Sequence, residues 1–237
     1  MLENVWLALA ITFLLALFWL RFNDFLAYKG IISGPLSRKI IHIGTGPVFV
    51  LCWLLFPPVA SARFLAAIVP FLITLQFALV GLGFVKDQAA VAAMSRYGDP
   101  REILRGPLFY GVAFVVLTII YWKTSLIGIV ALMLMCGGDG LADIVGKKVT
   151  QGKKLPWSVS KSWPGTMAMF GGGLLLSLFM TAIYLWTGSA SGYFWNYFVK
   201  IAVITLAATI VESLPYRDID NLTVPLVAVF LGNLLKL

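Results

Sequence analysis

The sequence predicts an all-α membrane protein, a polytopic bundle of seven or eight transmembrane helices with its polar loops on one face. The first reason is composition: 60% of the 237 residues are hydrophobic and only 12% are charged, whereas soluble domains have about 25% charged residues. The second reason is a series of apolar stretches near the membrane-spanning length of about 20 residues. These observations exclude a soluble enzyme, a disordered chain and a nucleic-acid-binding module. We expect residues 1–237 to form a single integral membrane domain.

Eight apolar stretches are candidate spans. The fifth and the eighth are short, which leaves the count at seven or eight. Because the fifth runs into a Gly-Gly-Asp-Gly sequence, we expect its helix to be broken within the membrane, where a break must face protein or a water-filled cavity. We expect the first stretch to be retained as a span, since no small-residue cleavage site follows it. The stretches cover residues 2–20, 40–56, 64–85, 107–122, 125–136, 165–186, 197–214 and 222–235.

Charged residues are distributed unevenly over the loops between these spans. Of the 18 lysines and arginines, fourteen follow the first, third, fifth and seventh spans, and nine of the 10 acids lie on that same side. The positive-inside rule makes these loops cytoplasmic. The same rule accounts for the net charge of +8, and attraction to anionic lipid headgroups is compatible with it. We therefore expect a polar cytoplasmic face that carries the chemistry.

The richest polar stretch covers residues 137–147. Asp139 and Asp143 are four residues apart and share a face if a helix begins near residue 139. Paired carboxylates suit Mg²⁺, and glycines such as Gly138 and Gly140 allow a backbone to approach phosphate oxygens closely. The alternative is a loop whose acids only balance nearby lysines. We favour a functional site, because ionisable residues at a membrane boundary are commonly functional.

A second polar stretch leads into the sixth span. Pro164 fits the first turn of a helix, and Ser162 is a plausible N-cap. Free amides, a hydroxyl group and the Lys161 ammonium would then meet at one point and could hold a phosphate, with Lys161 neutralising charge on the transferred group. The alternative is an ordinary capped helix start with a lysine that reaches toward water. The glycines at 171–173 are expected to mark close helix packing.

Acids also flank the last span. Glu212 ends the seventh apolar stretch, and Asp220 and Asn221 open the eighth. An acid at this position could bind a second metal ion or accept a proton from an attacking hydroxyl. An Asp-Asn pair is also a common helix cap, so the sequence leaves both interpretations open.

Two further stretches carry charge nearer the N-terminus. Lys39 and His42 lie three residues apart on one helical face at a membrane boundary, and we expect Arg38 and Lys39 to contact phosphate or headgroups. His42 is the only histidine, which excludes a multi-histidine metal site and favours a structural hydrogen-bonding role. The connector 95–107, which includes Arg101 and Glu102 as candidates, is by itself typical of a solvated loop.

Four of these motifs, in this order, resemble the polyprenol-type lipid kinases, the family that holds phytol, dolichol and CTP-dependent diacylglycerol kinases. The resemblance runs from about residue 35 to 230, and the stretch 95–110 is most similar to phytol kinases. The matching motifs are Arg38-Lys39-x-x-His42, Gly138-Asp139-Gly140-x-Ala142-Asp143-x-x-Gly146, Lys161-Ser162-x-x-Gly165-Thr166, and Glu212-Ser213-Leu214-Pro215 followed by Asp220-Asn221-Leu222-Thr223-Val224-Pro225.

The resemblance implies Mg²⁺-dependent transfer of a phosphoryl group from CTP or UTP to an isoprenoid alcohol, foremost phytol, in tocopherol or chlorophyll-related prenyl salvage. The membrane would be the plasma or thylakoid membrane in a bacterium and the plastid envelope in a plant. The implied roles are metal binding by Asp139 and Asp143, phosphate binding by Lys161, Ser162, Gly165, Thr166, Arg38, Lys39, Gly138, Gly140 and Asn221, proton transfer by Glu212 or Asp220, and substrate or structural contacts by His42, Arg101 and Glu102.

Two alternatives remain open from the sequence. A phosphatidate cytidylyltransferase has a similar acid-glycine stretch before a Lys-Ser or Lys-Thr helix start. Its usual C-terminal signature is missing, and Glu212-Ser213-Leu214-Pro215 stands in that region. A transporter would be expected to have paired interrupted spans in two repeated halves, and no such repeat is found.

Overall fold

The apolar stretches fold as helices, because a helix satisfies its backbone hydrogen bonds internally where lipid offers no partners. The computed structural model describes residues 1–95, 97–148, 154–216 and 219–237. Over these ranges the elements are α1 (Val5–Tyr28), α2 (Gly34–Trp53), α3 (Ala62–Gly81), α4 (Gln88–Met94), a 3₁₀ turn (Pro100–Leu104), α5 (Gly106–Ile120), α6 (Leu126–Met133), a π turn (Leu134–Gly138), α7 (Asp139–Lys148), β1 (Lys154–Leu155), β2 (Ser158–Ser162), α8 (Trp163–Trp186), α9 (Phe194–Glu212) and α10 (Asp220–Leu234).

Within the described residues, six helical segments are long and apolar enough to cross a membrane. α10 is a shorter apolar helix, and α2 is a helix of 20 residues that carries Arg38 and Lys39 near its start. The predicted all-α, multi-pass membrane fold is therefore confirmed. The six segments are Val5–Tyr28, Ala62–Gly81, Pro100–Ile120, Leu126–Lys148, Trp163–Trp186 and Phe194–Glu212.

The break expected after the fifth span is absent. The chain stays helical over Leu126–Lys148, with a π turn in place of the break. The glycines there serve packing instead. A Cβ added to Gly137 would lie 2.4 Å from the Leu176 side chain, and one added to Gly138 would lie 2.6 Å from the sulfur of Met169. Small residues that allow a neighbouring helix to approach are common in membrane helices, and here they allow the approach of α8.

The chain divides into two compact units, Met1–Ile120 and Tyr121–Leu237, and each is described by itself. In the first unit α1 packs on α2, and α3 packs on α5. The connector between α3 and α5 contains α4 and the 3₁₀ turn, so it is more structured than a plain solvated loop. Its residue Arg96, like Arg217 and Asp218 before α10, lies outside the described residues.

In the second unit α6 forms the core. Every residue of α6 is buried, and α8 and α10 pack against it while α9 packs against α8 and α10. The outer faces of these helices expose large apolar side chains such as Leu175 and Phe230 (71% and 68% exposed). An apolar exterior around an apolar core is the arrangement expected in lipid, which solvates these side chains.

Candidate active site

Four of the predicted site residues meet at one end of the second unit. Lys161 lies near the end of β2, and the Nζ atom donates a hydrogen bond to Oε1 of Glu212, the last residue of α9. Oδ2 of Asp220, the first residue of α10, lies 3.6 Å from the same nitrogen. Asp139, the first residue of α7, acts electrostatically on Lys161. We call these four residues the acid–lysine cluster.

The cluster keeps Lys161 protonated. Burial lowers the pKa of Lys161, but the nearby carboxylates of Glu212, Asp139 and Asp220 outweigh that effect and raise it above its usual value. Opposite charges within a few ångströms favour the charged form in this way. Lys161 is therefore an ammonium ion at neutral pH.

The acid–lysine cluster has more negative than positive charge. Three carboxylates surround one ammonium, which leaves a formal excess of two negative charges if all are ionised. Glu212 and Asp139 are only 3% and 8% exposed, so water screens them poorly. The second oxygen of Glu212, Oε2, is buried and accepts no hydrogen bond from any described residue. An excess of buried negative charge favours the binding of a cation.

The oxygen donors of the cluster fit Mg²⁺ only as a partial ligand set. Among the described residues, no group of three or more His, Cys, Asp or Glu side chains is arranged to hold a metal ion. Mg²⁺, however, is usually bound by one or two carboxylates together with substrate phosphates and water. Asp139 meets this requirement. Asp143 forms an ion pair with Lys147 at 2.8 Å between Oδ2 and Nζ, so a metal ion would have to compete with that lysine.

The start of α8 has the predicted geometry. Ser162 is the N-cap, and its Oγ accepts a hydrogen bond from the backbone N–H of Gly165 at 3.3 Å. Pro164 lies in the first turn, as the sequence indicated. Gly165 is also a packing residue, because a Cβ there would lie 2.9 Å from the carbonyl oxygen of Ala142 in α7. Contact with phosphate by Gly165 or Thr166 stays a prediction.

The start of α10 shows whether Asp220 and Asn221 form a simple helix cap. Ile219 occupies the N-cap position and makes no side-chain capping hydrogen bond. Asp220 is instead the first helical residue, and its two oxygens approach different groups: Oδ1 accepts from the N–H of Asn221 at 3.2 Å, and Oδ2 faces Lys161. Asp220 therefore lies in the acid–lysine cluster and is not the N-cap of α10, while phosphate binding by Asn221 stays a prediction. Asn221 is itself buried.

The sequence reasoning missed the short hairpin that carries Lys161. β1 and β2 pair as antiparallel strands. The indole N–H of Trp157, at the turn of the hairpin, donates to Oγ of Ser213 at 3.3 Å, next to Glu212. The Trp157 ring also makes an edge-to-face contact with Trp163. The available signal for this hairpin was the Pro-Trp pair at 156–157, since proline commonly marks a turn.

The remaining predicted residues belong to the first unit. Arg38 donates through Nη1 to the carbonyl oxygen of Ser95 at 3.2 Å. The His42 ring packs against Tyr110 with ring centres 4.5 Å apart, and the Tyr110 hydroxyl donates to the His42 carbonyl oxygen at 2.7 Å. These contacts agree with a structural role for His42. Lys39 lies beside Arg38 and is half-buried.

The candidates in the connector of the first unit make local contacts. Arg101 is exposed, and its backbone N–H is capped by the Asp99 carboxylate at 2.9 Å. Oε1 of Glu102 accepts from the N–H of Tyr97 at 3.2 Å. Both contacts order the connector, and a role in substrate binding stays a prediction.

Comparison with known proteins identifies close relatives. The chain is 41% identical over 217 residues to a probable chloroplastic phytol kinase of Triticum aestivum, covering 91% of this chain and 72% of the relative. It is 36% identical over 211 residues to phytol kinase 1 of Arabidopsis thaliana, covering 88% and 69%, and 38% identical over 233 residues to a farnesol kinase of the same plant, covering 96% and 74%. No family model and no solved structure matches the chain.

The helices and the acid–lysine cluster define a multi-pass membrane protein with a buried ionic site at one helix end. The similarity extends over about nine-tenths of the sequence. The chain belongs to the phytol kinase family of lipid alcohol kinases.

Proposed function

We propose that this protein transfers the γ-phosphoryl group of CTP or UTP to the hydroxyl of a membrane isoprenoid alcohol, phytol being the first candidate, at the cytoplasmic boundary of the membrane. The single observation that carries the proposal is the meeting of Lys161 with Glu212, Asp220 and Asp139. An ammonium and several carboxylates at a lipid boundary suit phosphoryl transfer, which depends mainly on positioning and charge stabilisation.

In this mechanism Lys161 neutralises charge on the phosphates. Its ammonium is fixed by the Glu212 carboxylate, which is 2% exposed at the side chain. A donor held in place before the reaction stabilises developing charge without having to reorganise. The N-terminus of α8, with its cap at Ser162, supplies backbone amides that favour anions. We therefore assign phosphate binding to this corner of the site.

The accessible carboxylate is the better candidate for proton transfer. The Asp220 side chain is 23% exposed and that of Glu212 only 2%, and Glu212 is already committed to Lys161. We assign Asp220 as the proton acceptor and Glu212 as the residue that positions Lys161. The substrate hydroxyl oxygen attacks the γ-phosphorus, the bond to the bridging oxygen breaks, the nucleoside diphosphate leaves, and the hydroxyl proton passes to Asp220.

Mg²⁺ is part of this proposal. Asp139 would hold the ion together with the nucleotide phosphates, and Asp143 would join it after release from Lys147. The ion would supply charge neutralisation on the nucleotide phosphates. The negative excess of the acid–lysine cluster supports the assignment.

Two observations support the choice of an isoprenoid alcohol as the substrate. The names of the relatives cite phytol and farnesol, and the outer helix faces are apolar enough to accept an isoprenoid chain from the bilayer. Since the names of the relatives also cite the chloroplast, the plastid envelope is the proposed membrane if the source is a plant. The plasma or thylakoid membrane is proposed if it is a bacterium.

Isotope transfer tests the proposal directly. Purified protein in detergent is given phytol, Mg²⁺ and CTP labelled at the γ- or the α-phosphate. Label that enters the lipid only from the γ position is the expected result. Label from the α position with phosphatidate as acceptor would contradict it and indicate nucleotidyl transfer. Parallel assays with farnesol and with UTP define the acceptor and the donor.

A further inference from the structure

Buried hydroxyl groups occupy the interior of the second unit on α8 and α9. Ser177 and Thr181 on α8 and Thr205 on α9 are 0% exposed, and Thr209 on α9 is 4% exposed. Their hydroxyl oxygens have no hydrogen-bond partner among the described residues. We call these four side chains the hydroxyl seam. Buried polar groups in native proteins almost always have a partner, so each of these groups requires an explanation.

Other helical threonines of this chain satisfy their own hydroxyls. Thr12, Thr74 and Thr118 each donate to the carbonyl oxygen four residues earlier, at 2.7, 2.6 and 2.6 Å. The same bond is open to any serine or threonine within a helix. The hydroxyls of the seam do not make this bond within the described chain.

The two halves of the hydroxyl seam lie on facing sides of the helices. A Cβ on Gly173 of α8 would lie 3.6 Å from Cγ2 of Thr205 on α9, so these two faces meet. Ser177 follows Gly173 by four residues and shares its face, while Thr209 and Glu212 follow Thr205 by four and seven residues and share the other. At 1.5 Å per residue, the seam extends about 20 Å from Glu212 into the membrane interior.

The seam ends on an ionic group. Glu212 gives one oxygen to Lys161, while Oε2 is buried and accepts no hydrogen bond from the described residues. A row of hydroxyl donors therefore leads to a carboxylate oxygen that needs donors. A ligand that both donates and accepts hydrogen bonds would satisfy all of these groups together.

We propose that the hydroxyl seam binds a row of water molecules that ends at Oε2 of Glu212. Hydroxyls four residues apart on one helix are separated by about 6 Å, which one water molecule can bridge with two hydrogen bonds of about 2.8 Å each. The row hydrates Glu212 and so keeps Lys161 oriented. This inference depends on the packing of α8 and α9 and does not require the proposed phosphoryl transfer.

Radiolytic footprinting of the full-length protein in lipid nanodiscs tests this proposal. X-rays produce hydroxyl radicals from water, including bound internal water, and the radicals oxidise methionines beside it. Met169 and Met180 are 0% exposed. Met180 follows Ser177 by three residues, and Met169 precedes Gly173, which faces Thr205, by four. Met133 on α6 is equally buried. We expect Met169 and Met180 to be oxidised several-fold faster than Met133. Equal protection of all three methionines would overturn the proposal.

Variants provide the second measurement. Thr205→Val and Thr209→Val replace the hydroxyl with a methyl of similar size, and together they should lower the oxidation of Met169 several-fold. Thr118→Val is the matched control, because the Thr118 hydroxyl bonds to its own helix, and it should leave the Met169 signal unchanged. If the seam double variant keeps the wild-type oxidation of Met169, the row of water is absent. The comparison of the three methionines in the wild-type protein tests the proposal by itself, even if a variant fails to fold.

Discussion

Lys161 and Glu212 form an ion pair although they are separated by 51 positions in the sequence. The lysine lies on a short hairpin before α8, and the glutamate is the last residue of α9. The antiparallel packing of α8 and α9 returns the chain to the end of the unit from which it started. The pair therefore depends on how α8 and α9 pack, and it fixes the Lys161 ammonium at the end of α9.

Removal of the lysine should affect both stability and activity. Lys161→Met leaves Glu212 buried without its counter-charge, and breaking a buried ion pair typically costs about 3–5 kcal/mol in the free energy of unfolding. Turnover should fall by about 10²–10³-fold or more, as for loss of one charge-stabilising donor. Adding Glu212→Gln to Lys161→Met should restore most of the stability and none of the activity. Near-normal turnover of Lys161→Met would refute the assignment of this residue.

The two aspartates of α7 should behave differently. Asp139 is buried in the acid–lysine cluster, so Asp139→Asn should lower turnover by about 10²-fold or more. Asp143 is paired with Lys147 on the helix surface, and Asp143→Asn should change stability by under about 0.5 kcal/mol. Titration of activity with Mg²⁺ separates their roles. If Asp143 binds the metal, Lys147→Gln should lower the Mg²⁺ concentration needed for half-maximal activity; an unchanged or higher requirement would exclude Asp143.

Variants of Asp220 and Glu212 should have different effects, because Asp220 accepts the proton and Glu212 positions Lys161. Asp220→Asn should lower kcat by about 10²–10⁴-fold, the usual contribution of a general base, with little change in nucleotide affinity. Glu212→Gln should instead weaken nucleotide binding, because Lys161 loses the carboxylate that fixes it. Nucleotide affinity by calorimetry and single-turnover rates distinguish these outcomes. Equal effects of both variants on kcat alone would contradict the division of roles.

The close packing of α7 on α8 leaves no room for a side chain at Gly165. The Cβ of Gly165→Ala would lie 2.9 Å from the Ala142 carbonyl oxygen and 3.3 Å from Cα of Gly146, so the helices must separate, and overpacking of this kind costs about 1–3 kcal/mol. Gly171→Ala is the matched control on the same helix, since its Cβ would meet nothing within 4 Å. The control should be neutral or slightly stabilising. Thermal unfolding in detergent measures both, and equal melting temperatures would contradict the packing argument.

The Lys161 ammonium should persist through the alkaline range. Because its pKa is raised above the unfolded value of 10.5, its stabilising contribution is fully present below that value and is lost only as pH rises through the higher folded pKa. Stability between pH 7 and about 10 should therefore show no loss that depends on Lys161. Chemical unfolding of the wild type and of Lys161→Met across this range tests the expectation. A difference between the two that shrinks below about pH 10 would contradict it.

Much of the site could be predicted before the structure was known, because its residues are polar groups in an apolar sequence. Asp139, Lys161, Glu212 and Asp220 are conspicuous for that reason, and they do come together. The cap at Ser162 and Pro164 followed from local rules of helix starts. The hairpin was missed because its strands have two and five residues, too few for a periodic pattern to stand out.

The glycines at 137 and 138 were misinterpreted for a physical reason. Glycine weakens an isolated helix, so two in succession predicted a break. In the folded protein they admit the side chains of Leu176 and Met169 from α8, and that packing keeps the helix continuous through its π turn. Of the three glycines at 171–173, the second and third meet Leu141 and Leu134 in the same way, while Gly171 faces open space.

The sequence alone determined that this chain is a multi-pass helical membrane protein with its acids and bases at helix ends, because hydrophobicity, span length and charge distribution are local properties. The tertiary structure decided which of those groups interact. The pairing of Lys161 with Glu212, the commitment of Asp143 to Lys147 and the facing hydroxyls of α8 and α9 depend on side-chain contacts. Two of these three are contacts between distant parts of the chain, and they are fixed by helix packing, which a one-dimensional pattern does not contain.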